Sequence, residues 1–429
     1  MKTESFLQQE LQKIHSALKQ HVANKDDSDL HFHYSGLDLY QLLNHLNCER
    51  VFYFKSKYND YSFLGLGHAE TLKAQDLDQY LKNHPKLSLI ASFLFEQDPE
   101  LAEFHLPEWG FVCRNGQTEL TICKSYEYKN FSIPALFFNN SFDLNLYDPL
   151  LPPWQSYDEY PEHDQWEDMI SACNTLFESG ELEKIVMSRK KIFGYDRPIE
   201  PIVFFKALME KNNDANSSYA IFYQMSFGKS FISLTPEKLF SLQEHLFESI
   251  SLAASAPRGK CPQEDQQFEE TLTSSDKLVR EHNIVTEEIV RKIKPIAESL
   301  EISPLQTMKL PYIQHRSVPI KAKLIADIGP LELVKRLHPT PAVGGLPWDK
   351  AKAKIRELEP YLREQYAAPI GVISADYSEL AVGIRSALIE KEKLILFGGA
   401  GIVKGSIAEE EWIETGIKMN PFLKVVNNE

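Results

Sequence analysis

The chain has 429 residues, 43% of them apolar and 25% charged, the balance of a soluble globular protein long enough to bury a large core as two or three domains or as one two-lobed unit. Its 61 acidic against 46 basic residues leave a net charge of -15, which argues against a nucleic-acid backbone as partner. No apolar run approaches the roughly 20 residues of a membrane span, and five scattered cysteines without a CxxC pair read as reduced thiols of a cytoplasmic protein.

The first run, MKTESFLQQELQKIHSALKQ, predicts a helix of mixed polarity without the apolar core of a signal peptide. Strand-like runs follow, among them RVFYFKSK at 50–57 and ELTICKSYEY at 119–128. The stretch YDPLLPPWQSYDEYPEHDQW at 147–166, rich in Pro, Asp and Tyr, predicts an extended and irregular boundary. Beyond it the patterns predict helices over 165–178, 199–211, 274–297, 330–336, 349–357 and 408–418, and strands over 184–193, 218–224, 230–234, 238–243, 370–375, 379–389 and 393–397. Neighbouring strands joined by short turns favour antiparallel pairing and an α+β fold. The last stretch, FGGAGIVKGSIAEEEWIETGIKM at 397–419, predicts a glycine-rich loop running into a helix that sets Glu411, Glu414 and Lys418 on one face.

Several of these positions carry chemistry. Glu281 lies at the edge of a helical apolar stripe through Leu278, Val285, Ile289, Ile293 and Ile296, where a charge must be paired or bind a metal. Glu411 and Glu414 form a second acidic cluster, for which a solvated face with an ion pair to Lys418 is the plain alternative. Carboxylates on two helices, with neither His nor Cys beside them on the same face, suit a hard, oxygen-seeking ion, Mg²⁺ rather than Zn²⁺. The stretch GGAGIVKG fits no established phosphate-loop pattern, leaving small residues whose backbone can approach an anion closely. Arg385, alternating with apolar neighbours on a predicted strand, offers a planar fork for a carboxylate. Lys184 opens the run KIVMSRKKIF and Glu237 sits in SLTPEKLFSL; both are acid–base candidates, and each alone reads equally as structural.

Taken in order, EKIVMSR, LTPEKLF, SLAASAPRG, SDKLVREHNIV, LHPTPAVGGLP, EPYLREQY, AVGIRSA, FGGAGIV and EEEWIETGIKM resemble the motifs of the chorismate-utilising enzymes, most nearly the isochorismate synthases. The resemblance covers roughly residues 160–425. It implies two large, mostly antiparallel β-sheets packed as a sandwich with helices outside. Residues 1–150 would form the variable N-terminal half and 160–429 the chorismate-binding region of one two-lobed unit. It further implies Lys184 as general base, Glu237 as general acid, and Glu281 and Glu414 as Mg²⁺ ligands with Glu411 close by. Arg385 and Lys418 would grip the substrate carboxylates, helped by backbone N–H groups at Gly399 and Ser255, with Ala254, His315 and Tyr366 around the ring.

In that reading water attacks C2 of chorismate, the double bonds shift and the C4 hydroxyl leaves. The expected protein is a monomer, and its product opens routes to menaquinone, catechol siderophores and salicylate. Anthranilate synthases carry Gln where Lys184 stands, and aminodeoxychorismate synthases a lysine where Ala253 stands, so both aminating readings are weak. Salicylate synthases, which also eliminate pyruvate, are the nearer alternative, and an inactive chorismate-binding subunit is a third. Ala254 and Ala368 replace usual glycines and Leu278 a usual acidic residue, which implies weaker binding rather than another reaction.

Overall fold

The computed structural model describes Ser16 and residues 29–43, 46, 48–123, 151–212, 217–325 and 328–429. The expected N-terminal helix, apart from Ser16, and the KSYEY end of the 119–128 run lie outside these residues. Runs rich in Val, Ile, Phe and Tyr, many of them buried on both faces, build two sheets of twelve and ten strands. Every recorded strand pair is antiparallel, and helices lie outside, so the α+β sandwich expected from the sequence is what forms.

The strands that build the candidate site are β1 (Lys184–Gly194), β2 (Lys229–Thr235), β3 (Lys238–Gln243), β4 (Leu246–Pro257), β5 (Ile313–Leu324), β6 (Tyr377–Val382), β7 (Ser386–Glu390) and β8 (Lys393–Val403). They fall into two groups, β2-β7-β8-β1 toward one end of the larger sheet and β5-β4-β3-β6 in the smaller. Two helices complete the set, α1 (Asp276–Ile293) and α2 (Ala408–Val426). The main core lies between the sheets and includes Phe54 and Phe397 from one and Leu239 and Ile370 from the other. Residues before 124 contribute strands to both sheets. Val51–Lys55 pairs with Tyr219–Ser226, and Ser88–Ser92 with Pro369–Ser374.

Four expectations need correction. The strand expected over 379–389 is two strands in different sheets. Residues 383–385 cross between them, and Arg385 has φ +47°. The chain crosses a second time at Pro236–Glu237, between β2 and β3. The two crossings are tied to each other: the Val382 amide donates to the Glu237 carbonyl, and the Leu234 amide to the Arg385 carbonyl. Gly383 allows the close approach, since a Cβ there would sit 2.8 Å from the Gln365 carbonyl oxygen.

The glycine-rich loop is not a loop. Gly398, Gly399, Ala400 and Gly401 continue β8 and stand opposite Arg189, Ser188, Met187 and Val186 of β1 in turn. Pairing with β7 ends at Ser386 opposite Phe397, so beyond that point the other edge of β8 is open. The helix expected over 274–297 divides at Ser275, whose ψ of 120° is extended. The residues before it belong to a separate helix, Pro262–Ser274. Part of the irregular boundary is also ordered: Ser156–Tyr160 is a strand paired with β1. Among the described residues no helix is long and apolar enough to cross a membrane, and none of the five cysteines is in a disulfide.

Candidate active site

The two crossings, the open edge of β8, the bulged end of β4 and the facing sides of α1 and α2 line one cleft of about 630 Å³, the solvent-open space at its mouth included. Its walls bring together Lys184, Glu237, Glu281, Arg385, Glu414, Lys418, Gly399, Ser255, Ala254, His315 and Tyr366. Glu411 does not line it, standing buried on α2 one turn before Glu414. These positions come from segments far apart in sequence.

Lys184 begins β1 and is 1% exposed. Its ammonium donates to Glu281 Oε1 at 3.0 Å. The strand beneath is braced by Glu359, which accepts from the amide and hydroxyl of Ser188 and from Arg363. Arg363 in turn donates to the Val186 carbonyl. Glu237 is 5% exposed, and burial raises its carboxyl to about 7 against the pull of Lys184, Lys418 and Arg385. Its backbone is held by Thr235 Oγ1, while the Tyr58 hydroxyl donates to the Pro236 carbonyl.

Arg385 Nη2 lies 2.6 Å from His315 Nε2. An arginine can only donate, so Nε2 accepts and the imidazole proton sits on Nδ1, directed at Ser255 Oγ 3.1 Å away. Burial and the neighbouring cations Arg385, Lys418 and Lys57 hold His315 well below its usual range, hence neutral. Ser255 and Ala254 stand at a bulge where β4 slips against β5. Ala254 has φ +61°, a conformation that favours glycine. The ring of Tyr366 stacks on Phe397 at 5.0 Å, and its hydroxyl would lie 2.6 Å from a Cβ on Gly399. On α2, Lys418 donates to the Gly399 carbonyl at 2.8 Å and to Glu414 at 2.6 Å. The group Gly399 turns to Lys418 is thus its carbonyl.

Each of the three carboxylates read as cation ligands carries an ion pair. Glu281 pairs with Lys184, Glu414 with Lys418, and Glu411 with Lys277 at 2.8 Å. Among the described residues, no group of three or more His, Cys, Asp and Glu side chains converges as a ready-made metal cage. The donor chemistry nonetheless fits a hard cation. Glu281 and Glu414 both face the cleft with oxygen atoms only. Burial and the adjacent Glu414 charge push Glu411 up to about 7, the repulsion a divalent ion would relieve. Lys277 was missed from the sequence. It sits one turn before Glu281 on α1, and its partner lies across the site.

The comparisons with known proteins point the same way. The chain is 34% identical to isochorismate synthase MenF of Bacillus subtilis over 270 residues, 62% of this chain and 56% of that protein. It is 28% identical to MenF of Escherichia coli over 371 residues, 85% of this chain and 84% of the relative. The first of these alignments, like others among the curated relatives, spans only about half the relative's length. The solved structure of MenF, the menaquinone-specific isochorismate synthase from E. coli, superposes with a TM-score of 0.82 at 24% identity. It covers 96% of this chain and 99% of that one, and shares the fold. A family model for chorismate binding enzymes matches residues 95–427, more than three quarters of the sequence, and the chain belongs to that family.

Proposed function

We propose that the protein is an isochorismate synthase, converting chorismate reversibly to isochorismate by adding water at C2 and expelling the C4 hydroxyl. One observation carries the reading: Lys184 and a carboxyl held protonated near neutrality, Glu237, stand on the walls of one cleft among cationic groups suited to a dianion. The names of the relatives in the same family support it.

In this mechanism Arg385, backed by neutral His315, and Lys418 bind the substrate's carboxylates and fix the ring between base and acid. Lys184 takes a proton from the attacking water once its Nζ is released from Glu281 and neutral. Glu237 delivers its proton to the departing C4 oxygen. In reverse the roles exchange. Glu281 and Glu414, with Glu411 behind them, would hold Mg²⁺, which when bound would offset the charge of a substrate carboxylate. A small, buried cleft lets each charge act at short range with little screening.

The absence of a nucleophilic lysine at position 253, where β4 carries Ala253 on the cleft wall, supports water rather than an amine as the attacking group. Chromatography of the products from chorismate and Mg²⁺ tests the proposal. Isochorismate as the main product supports it, salicylate with pyruvate moves the assignment to a salicylate synthase, and unconsumed chorismate removes both. Monomeric state and cytoplasmic location belong to the same proposal. Gel filtration at micromolar concentration tests the first and cell fractionation the second.

A further inference from the structure

Three lysines hold the three carboxylates of the cation site, and two of them face the cleft. Lys184 and Lys418 line its wall and have work to do on water and substrate. Lys277 belongs to neither task. It leaves α1 one turn before Glu281 and reaches across to α2, where its ammonium stands 2.8 Å from Glu411 Oε1 and 4.0 Å from Glu410 Oε2. Its side chain is 27% exposed against 4% for that of Glu411, so a half-buried lysine reaches in to a buried carboxylate.

We propose that Lys277 is the internal counter-ion of the metal site, neutralising Glu411 while no metal is bound and thereby setting the affinity of the site for Mg²⁺. The inference rests on the reading of Glu281, Glu414 and Glu411 as the cation site.

The physical argument has two branches with one outcome. A buried carboxylate needs a partner, and Lys418 is already committed to Glu414. Without metal, Lys277 is the cation recorded within ion-pair distance of Glu411. When a divalent ion enters, Lys277 either keeps Glu411 or gives it up. If it keeps it, a unit positive charge remains beside the ion and repels it. If it gives it up, an ion pair formed across two helices must first be broken. Either way the lysine lowers the affinity for Mg²⁺. An ammonium on a flexible stem can do this reversibly. It offers only N–H donors and cannot bridge the oxygens of several carboxylates as a metal does.

The test is calorimetric titration of Mg²⁺ into the EDTA-treated, dialysed full-length chain, compared among wild type, Lys277→Met, Lys277→Gln and Lys277→Arg. Thermal melts in EDTA and in Mg²⁺ accompany it. The Met and Gln variants should bind Mg²⁺ at least about ten-fold more tightly, a floor for removing a unit charge from beside a divalent ion. The Arg variant should match wild type. In EDTA both neutral variants should melt below wild type, and Mg²⁺ should raise their midpoints by more than it raises that of wild type. The Gln variant keeps a polar end and covers the case in which Met does not fold. Unchanged affinity in the neutral variants would overturn the inference. Weaker affinity would too, since the lysine would then be a support that the metal needs. If wild type itself gives no Mg²⁺ binding, the cation-site reading falls and takes this inference with it, a result distinct from the other two.

Discussion

Glu237→Gln should destroy activity and stabilise the fold, and the stabilisation should depend on pH in a defined way. Burial raises the carboxyl from 4.5 to about 7. The folded chain therefore holds this proton more tightly than the unfolded chain does. Between pH 4.5 and 7 the native state binds more protons, so stability falls as pH rises through that window and stays low above it. A separation of about two and a half pH units corresponds to roughly 3 kcal/mol once both states are ionised.

The amide carries no charge to desolvate, and no side-chain hydrogen bond recorded among the described residues is lost with the carboxylate. For a chain of this length the unfolding entropy is about 0.9 kcal/mol/K, so the variant should melt about 3 °C above wild type at pH 8.5. The two should coincide near pH 4. Glu411, also raised to about 7, is common to both proteins and cancels in the difference. Scanning calorimetry in EDTA at four pH values suffices. A difference that does not change with pH, or a variant less stable than wild type at pH 8.5, would refute the argument that Glu237 is a desolvated acid. The wild-type forward kcat/KM should correspondingly fall as pH rises through about 7, where the acid loses its proton.

Other expectations follow from the same geometry. Glu281→Gln and Glu414→Gln should each abolish turnover at ordinary Mg²⁺ and weaken Mg²⁺ binding in calorimetry while leaving the circular dichroism unchanged. If Glu414→Gln is fully active after chelation and Mg²⁺ re-addition, Glu411 is the ligand and the assignment is one helical turn off. Gly401→Ala should impair catalysis at least about ten-fold, because its Cβ would collide with Glu281 Oε1 and lie 3.1 Å from Lys184 Cε. A wild-type rate would show that this pair does not need its present geometry. Ala254→Gly should raise the melting temperature by about 1 °C by relieving a left-handed alanine, roughly 0.5–1 kcal/mol. A lower midpoint would count against strain at the bulge.

The regular elements were legible because their periodicity is local. The helix expected over 165–178 is His163–Glu178, and the strand expected over 184–193 is Lys184–Gly194. The long strands Leu246–Pro257 and Ile313–Leu324 were not anticipated. Their alternation covers only part of each run, as in VPIKAKL at 318–324, and is carried partly by Ser and Ala, while each is stabilised by the other as a partner in the sheet. The crossing at Arg385 read as uninterrupted strand because nothing in AVGIRSAL except Gly383 announces a change of sheet. The glycines of β8 read as a loop because glycine is a poor strand former. Here their missing side chains make room for Thr415, Tyr366 and the Lys184–Glu281 pair.

The site was legible only as a set of motifs. Lys184, Glu237 and Arg385 look ordinary one at a time, and two sheet crossings bring the acid and the arginine to the cleft that the base lines. The ion pairs offered as plain alternatives for Glu281 and Glu414 both exist, but on the cleft wall rather than on a solvated face.

The central claim is that water adds at C2 while the C4 hydroxyl is lost, and oxygen isotope tracing tests it most directly. Chorismate incubated with enzyme and Mg²⁺ in H₂¹⁸O, stopped at low conversion, should give isochorismate carrying one ¹⁸O atom at the C2 hydroxyl, seen by mass spectrometry, with none incorporated in the Lys184→Ala variant. Isochorismate formed without ¹⁸O would mean that the hydroxyl migrates within the molecule, and would contradict the assignment of Lys184 as the base that activates water.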